Sequence, residues 1–265
     1  MYPFMQLHVY RWFDGFLSWM VNGSGCCLCL LETANCTGPL HCDRKADIVL
    51  ALDRSRVNRS EWNYALQYLA DISARFEIGP EKTQIGVVSF SDLAYVEFYL
   101  NNHTNQSSVA DAIEKINYQN RRGYYNFARA LRTVRIEMFN STNGARAGAC
   151  KILVMVAFCK GIHQKTVMTI AEAWATRSTG VKVIMVGLAS NSTCSRYTLP
   201  LIASRPKNET IFWFTSPRGI MSTCNDVADG ACEMAKRCVP DANTTTTPTT
   251  TSTYTTTTST STTTL

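Results

Sequence analysis

The chain has 265 residues and a formal net charge of +6, with 45% hydrophobic and 17% charged residues. This composition is typical of a globular protein with one sizeable core, and it excludes a chain that is disordered throughout. The positive charge is too small to indicate a nucleic-acid partner, and we expect none. Eleven cysteines and several Asn-X-Ser/Thr sequons predict a secreted, extracellular protein that folds in an oxidising compartment.

The first 41 residues are predicted to form a leader and a Cys-rich lead-in. Residues 12–21 are apolar apart from Asp14, Arg11 precedes them, and small residues follow at 23–25. This order resembles an imperfect signal peptide. The apolar run is shorter than the roughly 20 residues that a membrane-spanning helix needs, so we interpret it as a targeting segment.

Residues 42–240 are predicted to form one domain in which short apolar strands alternate with amphipathic helices. The predicted strands are 47–53, 84–91, 94–100, 151–157, 181–188 and 210–214. The predicted helices are 60–76, 107–117, 127–138, 167–180 and 218–236. This alternation predicts an α/β fold with a doubly wound, mostly parallel sheet and helices on both faces. The short link between the second and third strands adds one antiparallel edge strand.

The fourth predicted helix carries an apolar stripe that consists of Val167, Ile170, Ala171 and Trp174. Stripes at this spacing lie on one face of a helix and usually face the core. We therefore predict that this stripe, like those of the other helices, packs inside the domain and does not form a ligand platform.

Residues 241–265 consist almost entirely of Thr and Ser, with Pro248 and Tyr254 as interruptions. Such a segment cannot bury apolar surface and is predicted to be disordered. In a secreted protein this composition is typical of a mucin-like, O-glycosylated stalk, and an unmodified flexible linker is the alternative.

Six sequons within the domain are candidate N-glycosylation sites, at Asn58, Asn102, Asn105, Asn140, Asn191 and Asn208. Three further sequons start outside the domain, at Asn22, Asn35 and Asn243. Their number supports the prediction of a secreted glycoprotein.

Several segments together resemble a von Willebrand factor type A domain, namely 46–55, 76–80, 85–91, 98–101, 144–146, 186–187 and 202–204. The resemblance covers residues 42 to about 232. It is strongest to the extracellular members found in matrilins, fibrillar-associated collagens and integrin I domains. The resemblance implies the doubly wound fold already predicted, and it implies a binding module and not an enzyme.

Asp53 and Ser55 follow the first predicted strand, where ligands bind in open parallel sheets. The resemblance implies a divalent-cation site here, with an Asp-X-Ser-X-Ser loop, a Thr and a second Asp as ligands. Asp53 and Ser55 keep two of these positions, whereas the other three hold Val57, Tyr125 and Phe158. One carboxylate and one hydroxyl are a weak ligand set for Mg²⁺. We therefore predict no resident cofactor, with Mg²⁺ binding as the alternative, and expect Asp53 to pair with a neighbouring Arg or with backbone N–H groups of its own loop.

The three loops around this position carry seven basic residues: Arg54, Arg56, Arg59, Arg121, Arg122, Lys160 and Lys165. Arg is well suited to bidentate capture of carboxylates and sulfates. We predict cation-independent binding of an anionic partner, either an acidic extracellular protein or a sulfated glycan. The alternatives are solvated loop charges without a partner, or a different binding face.

The resemblance also implies a disulfide from Cys42 to Cys232, with Cys238 as the alternative partner. Cys150 and Cys159 flank a predicted buried strand and are interpreted as core thiols. A local pairing of Cys224 with Cys232 or Cys238 is considered, and the sequence does not decide the pairings beyond Cys42.

No catalytic site is predicted. The four histidines are scattered, and no Gly-X-Gly-X-X-Gly follows the first strand. Cys159 lies near His163 in sequence, but no other feature supports a Cys/His nucleophile. The predicted function is that of a secreted binding module for adhesion or the extracellular matrix. The alternatives are a self-associating structural component of a matrix or mucous layer, and a recognition protein of host defence or attachment.

Overall fold

The structure is a computed structural model that describes residues 36, 38, 42, 44–119, 123–160, 162–163, 166–190 and 192–238. The chain divides into two units, 1–33 and 34–265, and every described residue belongs to the second. The predicted leader and stalk lie outside the described residues, as do these individual candidates: Asn22, Asn35, Arg121, Arg122, Lys165, Asn191 and Asn243. No helix of the described part is long and apolar enough to cross a membrane.

Eight strands are present in the described residues: β1 (Ala46–Asp53), β2 (Thr83–Phe90), β3 (Ala94–Phe98), β4 (Tyr124–Tyr125), β5 (Cys150–Ala157), β6 (Ile162–His163), β7 (Lys182–Leu188) and β8 (Ile211–Phe214). Six of them form one sheet in the order β3-β2-β1-β5-β7-β8. All pairs in this sheet are parallel except β2 with β3, which are antiparallel. The doubly wound sheet with one antiparallel edge strand is therefore confirmed.

Six α-helices accompany the strands: α1 (Arg59–Ala74), α2 (Gln106–Glu114), α3 (Phe127–Thr133), α4 (Thr166–Ser178), α5 (Leu199–Ile202) and α6 (Cys224–Arg237). A π-helical turn, Val134–Met138, continues α3, and a second, Cys194–Thr198, leads into α5. The described residues also contain 3₁₀ helices at Ser141–Asn143, Lys207–Glu209 and Arg218–Thr223.

Strand β1 shows how the sequence determines the two cores. Every residue of β1 is buried, because the strand lies between β2 and β5 and has helices on both faces. Ile48, Leu50 and Leu52 point to one face, where they pack in a cluster with α1, α2 and α6. Val49 and Ala51 point to the other face and pack with α3, α4 and α5. The strand ends by delivering Asp53 to the carboxyl edge of the sheet.

Four disulfides are present among the described cysteines: Cys36–Cys224, Cys42–Cys232, Cys150–Cys238 and Cys159–Cys194. Their Cα–Cα distances of 5.5–5.7 Å lie within the usual range for a bridge. Cys42 therefore pairs with Cys232, the first of the two partners considered for it, and not with Cys238. Three of the four bridges attach α6 or the residue after it to the rest of the domain.

The predictions for Cys150, Cys159 and Cys224 are wrong. Cys150 and Cys159 are not core thiols, because one starts β5 beside the end of α6 and the other follows β5 beside Cys194. Cys224 bridges to Cys36 and not to a neighbour on its own helix. These contacts join residues that are distant in sequence, so cysteine spacing could not reveal them. Since Cys159 is bridged, it is also not a free thiol nucleophile.

The predicted burial of the α4 stripe is wrong as well. Val167 is 81% exposed and Trp174 is 67% exposed. The face of α4 that meets the domain consists of Thr169, Ala173 and Thr176, which are all fully buried. Helix α4 therefore turns small side chains inward and large apolar side chains outward.

Candidate ligand-binding end of the sheet

The candidate site lies at the carboxyl edge of the sheet, where three loops meet. The first loop leaves β1 after Asp53 and leads to α1, the second precedes α3, and the third follows β5. The second and third loops pair through β4 and β6 in a short parallel ribbon, with Tyr124 opposite Ile162. Convergence of these loops is what a parallel sheet predicts for a binding edge.

Asp53 is fully buried at this edge, and the polar groups that face it are the hydroxyl of Ser55 and backbone N–H groups, with no cationic side chain among the main ones. Its Oδ1 accepts a hydrogen bond from the backbone N–H of Ser55 at 2.8 Å. Its Oδ2 has no partner of hydrogen-bond geometry among the described residues. The sequence predicts that Asp53 either pairs with a neighbouring Arg or accepts backbone N–H groups of its own loop. The hydrogen bond from Ser55 corresponds to the second of these roles.

Burial raises the pKa of Asp53 from 3.8 to about 6. The backbone N–H and the hydroxyl of Ser55 lower it, and the backbone N–H groups of Cys159 and Phe158 lower it further, but together they do not offset desolvation. The carboxyl group consequently titrates close to neutral pH.

The three remaining ligand positions hold buried side chains. Val57 and Phe158 are 2% and 1% exposed, and both belong to the core cluster that contains Trp62. The Phe158 ring packs edge-on against Phe214, with 5.6 Å between centroids. These side chains supply no oxygen to a cation.

Tyr125 is also buried, and its ring lies 5.2 Å from that of Phe127. Burial raises the pKa of Tyr125 to about 12, and the charge of Asp53 adds to the effect. The hydroxyl of Ser55 lies 3.5 Å from the carbonyl oxygen of Tyr124. The described residues contain no group of three or more His, Cys, Asp or Glu side chains arranged to hold a metal ion. The donors present do not fit Mg²⁺, which demands near-octahedral oxygen ligation.

Arg54 does not belong to an exposed cationic surface, contrary to the prediction. It is 3% exposed, and its guanidinium donates hydrogen bonds to Ser89 Oγ at 2.8 Å and to the Asn117 carbonyl at 3.1 Å. It also lies 3.5 Å from Glu97 and stacks on the ring of Trp62 at 5.2 Å. A long side chain that follows a buried strand can turn inward when such partners are available.

The other described basic residues of the three loops differ from one another. Lys160 is partly buried and forms an ion pair with Glu61. Arg56 and Arg59 are exposed, and the Arg59 guanidinium lies 5.1 Å from the ring centroid of Tyr118. Arg121, Arg122 and Lys165 lie outside the described residues. Among the described candidates, only Arg56 and Arg59 present their charge to solvent.

The described sequon asparagines are exposed, and three of them also cap helical turns. The Oδ1 atoms of Asn58, Asn105 and Asn140 accept backbone N–H groups at the starts of α1, α2 and the 3₁₀ turn Ser141–Asn143. Asn58 and Glu61 form a reciprocal capping box, which the Asn-X-X-Glu spacing could have indicated. A glycan attaches to the Nδ2 atom, so capping by Oδ1 is compatible with glycosylation.

A second buried carboxylate, which the sequence did not reveal, lies at the opposite end of β1. Asp47 is fully buried and accepts the backbone N–H of Arg146 at 2.7 Å and its Nε–H at 2.8 Å. The same guanidinium donates to the carbonyl oxygens of Ala46 and Lys82 at 2.9 and 2.8 Å. Arg146 thus joins β1 to the segment before β2.

Comparison of the sequence with known protein families identifies the family of this chain. The model of the von Willebrand factor type A domain matches residues 47–223. The chain belongs to the von Willebrand factor type A domain family.

Relatives of this von Willebrand A domain include adhesion and matrix proteins. Integrin alpha-1 of Gallus gallus is 33% identical over 128 residues, which cover 47% of this chain and 44% of that protein. The human collagen alpha-6(VI) chain is 26% identical over 204 residues, or 77% of this chain and 8% of that protein. Human vitrin is 34% identical over 113 residues, or 42% of this chain and 16% of that protein. The aligned parts thus span less than half of each relative.

The fold also matches a solved structure, proximal thread matrix protein 1 from the mussel byssus. The TM-score is 0.65 at 23% identity, and the match covers 72% of this chain and 48% of that one. A further structure of that protein has a zinc-occupied MIDAS motif. At this identity the match supports the fold of the von Willebrand A domain and nothing beyond it.

Proposed function

We propose that the protein is a secreted extracellular glycoprotein whose von Willebrand A domain binds an anionic partner without a divalent cation. The relatives named above are adhesion and matrix proteins, which supports a role as a binding module in that setting. We assign it no catalytic activity. The partner and the localisation are proposed and not inherited from the relatives, because the aligned parts span less than half of each relative.

The observation that carries the proposal is the set of side chains around Asp53. Val57 and Phe158 fill two of the ligand positions implied by the family with buried apolar groups, and Tyr125 fills the third with a buried phenol ring. A cation at Asp53 would therefore depend on one carboxylate, the hydroxyl of Ser55, at most the phenol hydroxyl of Tyr125, and water. Because Mg²⁺ loses its water reluctantly, such a set binds it weakly.

The chemistry of the partner follows from the exposed cations beside this edge. Arg56 lies on the loop between Asp53 and α1, Arg59 is the first residue of α1, and both reach solvent. Carboxylate and sulfate groups share the planar or tetrahedral oxygens that guanidinium binds well. An acidic protein segment and a sulfated glycan are therefore the two sources of the same ligand chemistry.

The proposal is tested by measuring binding of the full chain to immobilised heparin and, separately, to poly-glutamate. Each measurement is made with Mg²⁺, with EDTA and at rising salt. We expect equal binding with Mg²⁺ and EDTA, and weaker binding as salt rises. Preference for one of the two surfaces identifies the source of the anion.

Variants locate the interaction. Arg56→Glu and Arg59→Glu should weaken binding, whereas Arg218→Glu, an exposed change beyond β8, should leave it unchanged. Loss of binding on chelation would contradict the cation-independent mechanism. Binding that ignores salt, or that is equally sensitive to all three variants, would contradict an electrostatic site at this edge.

A further inference from the structure

We propose that the outer face of helix α4 is a docking surface for an amphipathic, acidic segment of a partner protein. We define this α4 face by Val167, Met168, Ile170 and Trp174, which are 81%, 52%, 42% and 67% exposed. Single exposed apolar side chains are common on protein surfaces. Val167, Ile170 and Trp174 share one side of the helix through their i, i+3, i+7 spacing, and Met168 lies beside them toward α3, where it lines a cleft. Clustered exposed apolar side chains of this kind mark interaction sites.

The α4 face is not needed to hold α4 on the domain. Thr169, Ala173 and Thr176 form the inner face and are fully buried. The hydroxyl of Thr176 lies 3.5 Å from the Leu131 carbonyl of α3, so the two helices approach closely. An amphipathic helix usually buries its large apolar stripe, and here that stripe is turned to solvent. The apolar residues of this exposed stripe are explained if a partner protein covers them.

A cleft beside the α4 face gives a partner side chain a place to bind. It lies between α3 and α4 and has a volume of about 290 Å³. Ala128 and Met168 contribute apolar surface, and Arg129, Arg132 and Glu172 also line it. Energetically dominant contacts in interfaces are typically large apolar side chains seated in such pockets, and Trp and Arg are the residues enriched around them.

The charge around the cleft indicates the chemistry of the partner. Arg129 is exposed, and the Arg132 side chain is 65% exposed. Glu172, the carboxylate that lines the cleft, already pairs with Arg135 at 2.7 Å and with Arg132 at 3.7 Å. Positive charge is therefore in excess, and a segment with Asp or Glu beside its apolar residues complements it.

A second copy of this chain fits the α4 face less well. A two-fold symmetric contact through α4 would place the same arginines of both copies in one interface. Like charges in an interface oppose association. A lipid surface would match the arginines, but a flat membrane does not fill the cleft between α3 and α4. An amphipathic helix can do both, because it places apolar side chains in a groove and charges at its rim.

The test uses the full chain and a synthetic helical peptide with Leu and Phe along one face and Glu along the other. A matched peptide has Lys in place of each Glu. Binding of the labelled peptides is followed by fluorescence anisotropy. We expect the Glu peptide to bind more tightly than the Lys peptide.

The variants are Trp174→Glu and Arg132→Glu, with Tyr64→Glu and Arg218→Glu as controls. Tyr64 is an exposed residue of α1, on the opposite face of the sheet. Each of the first two should weaken binding of the Glu peptide by about tenfold, as expected for interface anchors, and each control by less than about twofold. Unchanged melting temperatures of all four variants would show that the fold is retained.

Several outcomes would overturn the proposal. These are no binding of the Glu peptide, equal binding of the Lys peptide, or no effect of Trp174→Glu. Self-association of the parent chain that Trp174→Glu abolishes would assign the α4 face to a second copy. Binding to phosphatidylserine vesicles without binding to the peptide would assign it to a membrane. The peptide measurements are made in an Arg56→Glu/Arg59→Glu background, because the proposed anionic site at the edge of the sheet would also bind a Glu-rich peptide. In that background the result depends on the α4 face and not on the proposed function.

Discussion

Strand β1 carries a buried aspartate near each of its ends, and the two are held in different ways. Asp47, at the start of the strand, is enclosed by hydrogen bonds from Arg146. Asp53, at the end, accepts the N–H of Ser55 and leaves one oxygen without a partner among the described residues. The carboxylate of Asp47 is therefore stabilised by its partners in the folded state. The buried carboxylate of Asp53 destabilises the folded state when it is ionised, and it lies at the position where family members bind a metal.

The pKa values show the same contrast. Burial raises the pKa of both carboxyl groups, but for Asp47 the hydrogen bonds and the charge of Arg146 oppose the effect. No cation is among the main influences on the pKa of Asp53, and it reaches about 6. Buried charges usually persist only with partners, so a poorly partnered one at the end of a strand is a sign of a binding site or of its remnant.

The largest expected effect comes from removing the partner of Asp47. Arg146→Ala should reduce the free energy of unfolding by about 3–5 kcal/mol, because it leaves a buried carboxylate unpaired. Urea denaturation measures the loss. Arg237→Ala is the matched control, since Arg237 pairs with Glu209 at the surface and such pairs contribute about 0–1 kcal/mol. Equal losses in the two variants would mean that Asp47 is not held by Arg146.

The next effect concerns Asp53 and depends on pH. A folded-state pKa above the unfolded value means that the ionised group destabilises the fold. The contribution of Asp53 to stability is therefore fully present below pH 3.8 and is lost as pH rises through about 6. The shift corresponds to about 3 kcal/mol.

Asp53→Asn removes this titration. The difference in unfolding free energy between the variant and the parent should move in favour of the variant by up to about 3 kcal/mol between pH 4 and 7. Denaturation at several pH values measures this change, and any constant offset from the amide does not affect it. Asp111→Asn, at an exposed position in α2, is the control. A pH-independent difference for Asp53→Asn would show that Asp53 is not poorly partnered.

The smallest expected effect on stability comes from the N-cap of α1, which lies at the end of the loop after Asp53. Asn58→Gln should lower stability by about 1 kcal/mol, because it removes the cap of α1. Ser60→Ala abolishes the same sequon but keeps the cap, and it should leave the stability of the unglycosylated chain nearly unchanged. Thermal unfolding of both variants, expressed without glycosylation, measures the contrast. If Ser60→Ala costs as much as Asn58→Gln, the capping box does not hold this loop.

Much of the fold could be predicted because strands buried on both faces have a distinctive sequence. The apolar run from Ile48 to Leu52 predicts a central strand, and its end fixes the edge at which Asp53 and Ser55 lie. The family resemblance then assigned the positions of Val57, Tyr125 and Phe158.

Other features depend on contacts that no local pattern specifies. The periodicity of α4 shows that Val167 and Trp174 share a face, but not whether another element covers that face. Arg54 follows a buried strand and turns inward to Glu97, a partner distant in sequence. The bridges of Cys150 and Cys159 likewise join distant residues.

The most direct test of cation independence at Asp53 is thermal unfolding of the full chain as Mg²⁺ and Mn²⁺ are titrated. A ligand that binds the folded state raises the melting temperature as its concentration increases. We expect the same melting temperature in EDTA and at every Mg²⁺ or Mn²⁺ concentration, for both the parent chain and Asp53→Asn. A rise with either cation in the parent that disappears in Asp53→Asn would show a working metal site and would contradict this account.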